Sequence, residues 1–318
     1  RDWSSDVCSS DLQRMYPAKA YPDPGIPREM LIRGDLMKAD LHCHTTISDG
    51  SLGISDVIRQ ADRNDVRCLA ITDHDSLASL SRSAVLGKRY NVNVIPAVEF
   101  SAFDSERKKK VHILCYMPAK PDRLEGLCLR TSTGRMELGK RMAVKVLDKY
   151  PITLESILRY SAGSKAIYKC HIMHALMDYG YTTELYGDVY DSIFDVNDGI
   201  CADEVASEAN FYPDVHFVTT LIRASGGISV MAHPKVYDST ALLEELASKH
   251  EIDGVEVWHQ SADEQYRAQL QDIAAANGLL VTGGSDFHGF YNHYAIQIGS
   301  NTTPEESLNR IITHKGKA

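Results

Sequence analysis

Asp40-Leu41-His42-Cys43-His44 is the first stretch of the chain with clear chemical capacity. Side chains two apart on a strand share a face, so Asp40, His42 and His44 point one way and Leu41 and Cys43 the other. Two imidazoles at that spacing can reach one metal ion, and a carboxylate near the strand end can join them. Asp49, in the turn Ser48-Asp49-Gly50, is close enough. With 13 His in 318 residues, chance alone supplies roughly half an occurrence of His-x-His, so the motif is weak by itself. Its weight comes from company. Thr72-Asp73-His74-Asp75, Glu99, His112, Ala232-His233-Pro234 and Ser285-Asp286-Phe287-His288 each put a histidine or carboxylate in or after an apolar run. His nitrogens with Asp and Glu oxygens, and no thiolate, suit Mn, Zn or Fe rather than a Cys-bound structural zinc. Six His and three carboxylates exceed what one ion needs, which implies two or three divalent ions. Glu99, with two oxygens, is a natural bridge. Clustered ions activate water and stabilise oxyanion charge, the usual equipment for phosphoester hydrolysis.

These residues need a scaffold that gathers them. Short apolar strands are expected at 39–44, 68–73, 94–99, 111–116, 227–232, 254–258 and 279–283, with amphipathic helices near 55–64, 76–90, 240–249 and 263–276. Asp75 is the expected N-cap of the 76–90 helix. Alternating strands and helices with short connections predict a parallel α/β sheet, and this number of units predicts a barrel. The C-terminal strand ends of such a barrel form one rim, where functional side chains collect. Residues 118–225 break the rhythm with helices near 138–149, 153–160, 170–179 and 215–224, and read as an inserted helical subdomain flanked by barrel segments 38–117 and 226–318.

Composition narrows the function classes. Hydrophobic residues make up 43% and charged residues 24%, as in an ordinary globular protein. With 34 Lys+Arg against 43 Asp+Glu the net charge is -9, which disfavours a broad grip on long nucleic acid. No apolar run is long enough to span a membrane. The 7 Cys form no CxxC pair, so a cytoplasmic, reducing setting is expected, with the cysteines as small core residues. Residues 1–12 (RDWSSDVCSSDL) match a translated sequencing-library adapter and are read as an artefact, followed by an extended lead-in over 13–37. Several other groups are expected to be ordinary. The basic run Arg107–Lys110 reads as a solvated loop, and Asp73 as a structural carboxylate facing away from His74. His259 and His293 sit at the rim or on the surface, and His216, His250 and His314 are solvated.

Taken together, Asp-Leu-His-Cys-His-Thr, Ile-Thr-Asp-His-Asp, Pro-Ala-Val-Glu-Phe-Ser, Val-His-Ile-Leu-Cys-Tyr, Val-Met-Ala-His-Pro and Gly-Gly-Ser-Asp-Phe-His-Gly resemble, in order, the PHP (polymerase and histidinol phosphatase) metal-dependent phosphoesterases. The resemblance runs from about Met37 to His288. It implies a distorted seven-stranded (β/α) barrel with a trinuclear site. By motif, the implied metal ligands are His42, His44, Asp49, His74, Glu99, His112, His233, Asp286 and His288. The insertion is similar to that of the family's nucleotide-phosphatase branch, which has Arg-Pro-His-Ile before a helix. Here Lys169-Cys170-His171-Ile172 stands in that place, keeping the charge but losing the bidentate fork of Arg. The expected function is hydrolysis of a small phosphomonoester, a nucleotide, by a metal-bridging hydroxide attacking phosphorus in line. Glu99, His233, Asp286 and His288 would form the catalytic centre, with Lys169 and His171 orienting the phosphate. An amidohydrolase-type C–N hydrolase and a metal-binding accessory module without turnover are the alternatives.

Overall fold

The structure is a computed structural model that describes residues 37–314. The expectations for residues 1–12, and for 13–37 apart from Met37, lie outside the described residues. Seven apolar runs become the strands β1 (Ala39–Cys43), β2 (Cys68–Ile71), β3 (Asn93–Asp104), β4 (Lys109–Tyr116), β5 (Ile228–Met231), β6 (Gly254–Trp258) and β7 (Leu280–Gly283). They form one sheet in sequence order. Pairing is parallel from β1 to β3 and from β5 to β7, but β4 runs antiparallel to both neighbours. This corrects the expected all-parallel sheet. Only residues 105–108 join β3 to β4, and a parallel crossover needs about a dozen residues or more. A hairpin is what so short a link permits. The hairpin sets Phe103 opposite Lys110 and Ser101 opposite His112.

The sheet curls until β7 meets β1. His44 N–H donates to the Phe287 carbonyl at 2.8 Å, and Cys43 bridges Phe287 in parallel fashion. Asp40 completes the seam by accepting from Ser285 N (2.9 Å) and Gly299 N (2.6 Å). The barrel is thereby nearly closed. Leu41, Ala97, Leu114, Tyr116 and Val230 share one buried cluster, and Tyr116 donates its hydroxyl to the Leu41 carbonyl.

The helices are α1 (Ile54–Arg63), α2 (Leu80–Arg89), α3 (Asp122–Lys149), α4 (Leu154–Tyr160), α5 (Lys169–Asp178) and α6 (Asp188–Phe194), followed by α7 (Ala202–Ser207), α8 (Val215–Ala224), α9 (Thr240–Ser248), α10 (Glu264–Asn277) and α11 (Glu305–Ile312). Spacing of three and four puts Ile54, Val57, Ile58 and Ala61 on one face of α1, buried with Leu69 and Ile71. The helix expected from 76 begins at Leu80, because Asp75 turns inward instead of capping it. Helix α3 starts at Asp122, well before the expected 138; Thr131, Ser132, Thr133 and Gly134 weaken the local helical signal, and tertiary packing overrides them. Its first half buries Leu124 and Leu127 with Val215, Val218 and Ile222 of α8 in the cluster that backs the sheet. Its second half buries Leu138, Met142 and Val146 with Ile157, Ile172, Leu176 and Phe194. This second cluster comes from the 118–225 interval together with Tyr291 of the second barrel segment, while the interval's two ends pack on the barrel. Gly139 permits this: a Cβ there would lie 2.4 Å from the Ile167 carbonyl oxygen.

Candidate metal centre

Strand register brings the separate sequence clusters to one rim. His42 and His44 leave β1 on one face, fully buried. His42 Nε2 lies 3.3 Å from Glu99 Oε2 and 3.3 Å from Asp286 Oδ1. His44 Nε2 is 3.2 Å and 3.3 Å from the same two oxygens, and His74 Nδ1 is 3.2 Å from Glu99 Oε2. The other Glu99 oxygen faces His112 Nδ1 at 3.0 Å and His233 Nε2 at 3.2 Å. Asp49 faces His44 (3.5 Å), His74 (3.7 Å) and His288 (3.4 Å). All nine residues expected as ligands meet here. Glu99 stands between two sets of imidazoles, where a bridging carboxylate would be.

The spacing and the unmet bonding capacity fit cations. Two ligands of one tetrahedral ion at about 2.0–2.2 Å sit roughly 3.3–3.6 Å apart, close to the separations above. His42 Nε2, His44 Nε2, His74 Nδ1, His233 Nδ1, Glu99 Oε2 and Asp49 Oδ1 are buried without a hydrogen-bond partner. Each such orphan costs about 1–3 kcal/mol unless something satisfies it. Overlapping groups (His44, Asp49, His74, His288; His42, Glu99, His233; His42, His44, Asp286; His74, Glu99, His112) could each hold an ion. Burial alone would raise the carboxyls of Glu99, Asp49 and Asp286, yet the imidazoles around them hold all three well below the carboxylate range. Burial likewise opposes charge on His44, but the Asp286 and Glu99 carboxylates that face it raise it to about 10. The cluster is built for positive charge at its centre.

Residues behind the cluster fix its geometry. Glu256 Oε1 lies 3.0 Å from His42 Nδ1, and its other oxygen accepts from His233 N at 2.9 Å. Glu256 was not among the expected site residues; its signal was a charge inside the apolar run Gly254–Trp258. Asp73 accepts from Thr45 N, Thr45 Oγ1 and Ser48 Oγ, as expected of a structural carboxylate. His259, left between rim and surface, is buried with Nε2 3.3 Å from Asp286. His233 and Asp286 both have positive φ (25° and 47°), a strained backbone that tends to persist where it aims functional side chains. Gly284 lets β7 approach β1, since a Cβ there would lie 2.3 Å from His42 Cβ.

Above the cluster lies a cavity of about 510 Å3. Lys110, Arg135, Lys169 and Glu208 line one wall. Lys169 Nζ is 3.2 Å from Glu208, and Lys110 pairs with the same carboxylate. Lys110 is therefore a cavity residue, correcting the solvated-loop expectation; the β3–β4 hairpin carries it there. Arg135, not anticipated at all, donates to Asp75 (3.1 Å), Ser101 (2.6 Å) and Tyr212 (3.1 Å). Burial opposes its charge, but Tyr212, Tyr168 and Asp75 outweigh that and keep it protonated. Burial also pushes Asp75 up to about 6. The surroundings of His171 differ from its expected role as a phosphate donor. It is 1% exposed, it is not among the residues lining the cavity, and its Nδ1 accepts from Tyr168 N at 3.1 Å, capping α5.

A nearly closed α/β barrel with a convergent His/Asp/Glu cluster at its rim defines the class of a metal-dependent hydrolase. The chain belongs to the PHP domain family, whose model matches residues 40–199, and it is a PHP-type phosphoesterase. It is 34% identical over 255 residues to the phosphoribosyl 1,2-cyclic phosphate 1,2-diphosphodiesterase of Eggerthella lenta, covering 80% of this chain and 95% of that protein. It is 29% identical to the 3',5'-nucleoside bisphosphate phosphatase of Chromobacterium violaceum (78% and 86% covered) and 28% identical to the 5'-3' exoribonuclease Rnm of Escherichia coli (78% and 84%). A Bifidobacterium adolescentis protein assigned as a metal-dependent phosphoesterase has a crystal structure that superposes with a TM-score of 0.73 at 27% identity, covering 87% of this chain and 96% of that one.

Proposed function

We propose that this chain hydrolyses a phosphomonoester of a small nucleotide in the cavity above the His/Asp/Glu cluster. Two or three divalent ions (Mn, Zn or Fe) would be held by His42, His44, Asp49, His74, Glu99, His112, His233, Asp286 and His288. The observation that carries the reading is the set of orphaned buried ligand atoms lying directly beneath a cavity with a basic wall. Bound ions there supply an acidified water and charge for the phosphoryl oxygens. Glu99, His233, Asp286 and His288 hold the reacting centre, and Glu256 keeps His42 and His233 aimed at it. Lys169 offers the phosphate a cation whose proton affinity is already lowered by burial, in exchange for Glu208. Arg135, locked by Asp75, Ser101 and Tyr212, adds fixed positive charge to the same wall. His171 caps α5 through its Nδ1. The described cysteines are all buried and unpaired, in keeping with a cytoplasmic setting. No helix among the described residues is long and apolar enough to cross a membrane.

Phosphate release by protein loaded with Mn or Zn, over nucleoside monophosphates, 3',5'-bisphosphates, cyclic phosphates and a short RNA, tests this. Release from a monoester is the expected result. Cleavage of only the cyclic diesters or the RNA would replace the monoester reading with a diester one. Release of ammonia or an amine, with no phosphate, would move the chain to C–N hydrolysis.

A further inference from the structure

We infer that the mouth of the cavity is a stacking platform for a planar base, so that the substrate is a base-bearing nucleotide rather than a bare sugar phosphate. This rests on the phosphoesterase reading above and adds the recognition of the part of the substrate that does not react.

The cavity changes chemistry with depth. Its floor is the His/Asp/Glu cluster and one wall is basic, which accounts for a phosphate. Neither accounts for the aromatic side chains that also line it. Tyr186 and His293 stack face to face, with centroids 3.5 Å apart and planes 19° from parallel. Tyr186 is pinned by donating its hydroxyl to the Tyr291 carbonyl at 2.8 Å, so its ring is held in place before any ligand arrives. Beside it, Tyr294 lines the same cavity yet is 79% exposed. Its ring lies 6.5 Å from that of His293. Val236, another cavity residue, is 49% exposed.

Folding gains little from a tyrosine that open to water, since burial is what makes an aromatic ring stabilising. Stacking a base on it does gain something, because every base has a π-face and such contacts withstand changes of base identity. The fixed Tyr186 ring, stacked on His293, costs little entropy to use, and Tyr294 supplies the free face beside it. A ribose phosphate without a base has no planar group to place here. The platform therefore separates base-bearing substrates from the base-free one named for the Eggerthella lenta relative.

The test compares kcat/KM for adenosine and uridine phosphates with that for ribose 5-phosphate and for ribose 1,2-cyclic phosphate, in the intact Mn-loaded enzyme and in Tyr294→Ala and Tyr294→Trp. The expected result is a preference for the base-bearing esters. In Tyr294→Ala, KM for nucleotides should rise roughly 5- to 150-fold while the ribose phosphates are unaffected. Tyr294→Trp should restore nucleotide KM. Equal changes for nucleotides and ribose phosphates, or no change for either, would overturn the platform while leaving the phosphoesterase reading intact. No phosphate from any ester, with metal loading verified, would defeat the underlying reading instead.

Discussion

Glu99 concentrates the chemistry of the cluster, because its two oxygens face imidazoles from four other strands or strand ends. Glu99→Gln keeps the shape but removes the charge those imidazoles and the ions share. Loss of turnover by at least about 100-fold is expected, since even outer partners of metal ligands cost 10–100-fold. Metal content measured by mass spectrometry should fall in parallel, and a fully loaded, active variant would rule out Glu99 as a metal ligand. Lys169 makes a different kind of prediction. A hydrogen bond to a charged group contributes about 1.5–3 kcal/mol, so Lys169→Ala should raise KM by roughly 10- to 150-fold with a smaller effect on kcat. Lys169→Arg should retain most of the affinity, and an unchanged KM in the alanine variant would remove Lys169 from the phosphate site. Of these residues, Glu99 and the histidines were legible by type and spacing. Arg135 and Lys110 were not, because a lone Arg in a helix and one Lys in a basic run look like solvated charges until neighbouring elements enclose them.

At the scale of elements, Asp40 reinforces the backbone pairing that closes the seam between β1 and β7. Asp40 accepts from the buried backbone N–H groups of Ser285 and Gly299 with separate oxygens. Asp40→Asn turns one acceptor into a donor and should cost about 1–3 kcal/mol in urea unfolding, because one buried N–H is left unpaired. A variant as stable as the parent would show that the seam closes without it. The start of α5 predicts a pH dependence. Burial lowers His171 to about 4, against 6.5 for the unexposed reference, and its Nδ1 must stay unprotonated to accept from Tyr168 N. Between those values the unfolded chain binds a proton that the folded chain does not. This contribution is fully present above pH 6.5 and lost as pH falls toward 4, on the order of 3 kcal/mol. His171→Gln should flatten the difference in urea midpoint between pH 4.5 and pH 7.5; identical pH slopes in parent and variant would refute it. The antiparallel turn of β4 was also readable in principle, since the link before it is too short for a crossover. Alternation of strand and helix alone hid it.

For the whole molecule, the cluster ties together β1, β3, β4 and the loops after β2, β5 and β7, so bound cations should act as a clamp on the barrel. A ligand at about 100 times its Kd stabilises the folded state by about 2.7 kcal/mol, and 1 kcal/mol shifts Tm by roughly 2–4 °C in a chain approaching this size. Chelation should therefore lower Tm by several degrees, and Mn or Zn should restore it, in a thermal shift measurement. A Tm indifferent to chelator, with metal removal verified, would mean the ions do not hold the fold together. The 118–225 interval matters at the same scale. Its central cluster takes in Tyr291 of the barrel segment and both its ends rest on the barrel, which lets Arg135, Tyr168 and Lys169 reach over the rim.

Side-chain chemistry and strand periodicity were enough to read the seven strands, their order as α/β units, and the His and carboxylate clusters at the strand ends, while the nine-residue ligand set came from the resemblance to the PHP phosphoesterases. Those properties are local: a two-residue period faces His42 and His44 the same way wherever the strand lies, and an imidazole has its ligand chemistry in any context. What needed the assembled chain were relations between distant segments. The direction of β4, the burial of Glu256 behind His42, the packing of α8 on the barrel and the cavity role of Lys110 and Arg135 all depend on which surfaces face each other. His171 shows the difference in one residue. Its motif pointed to the substrate, and only the folded chain shows that its Nδ1 also accepts the Tyr168 N–H at the start of α5.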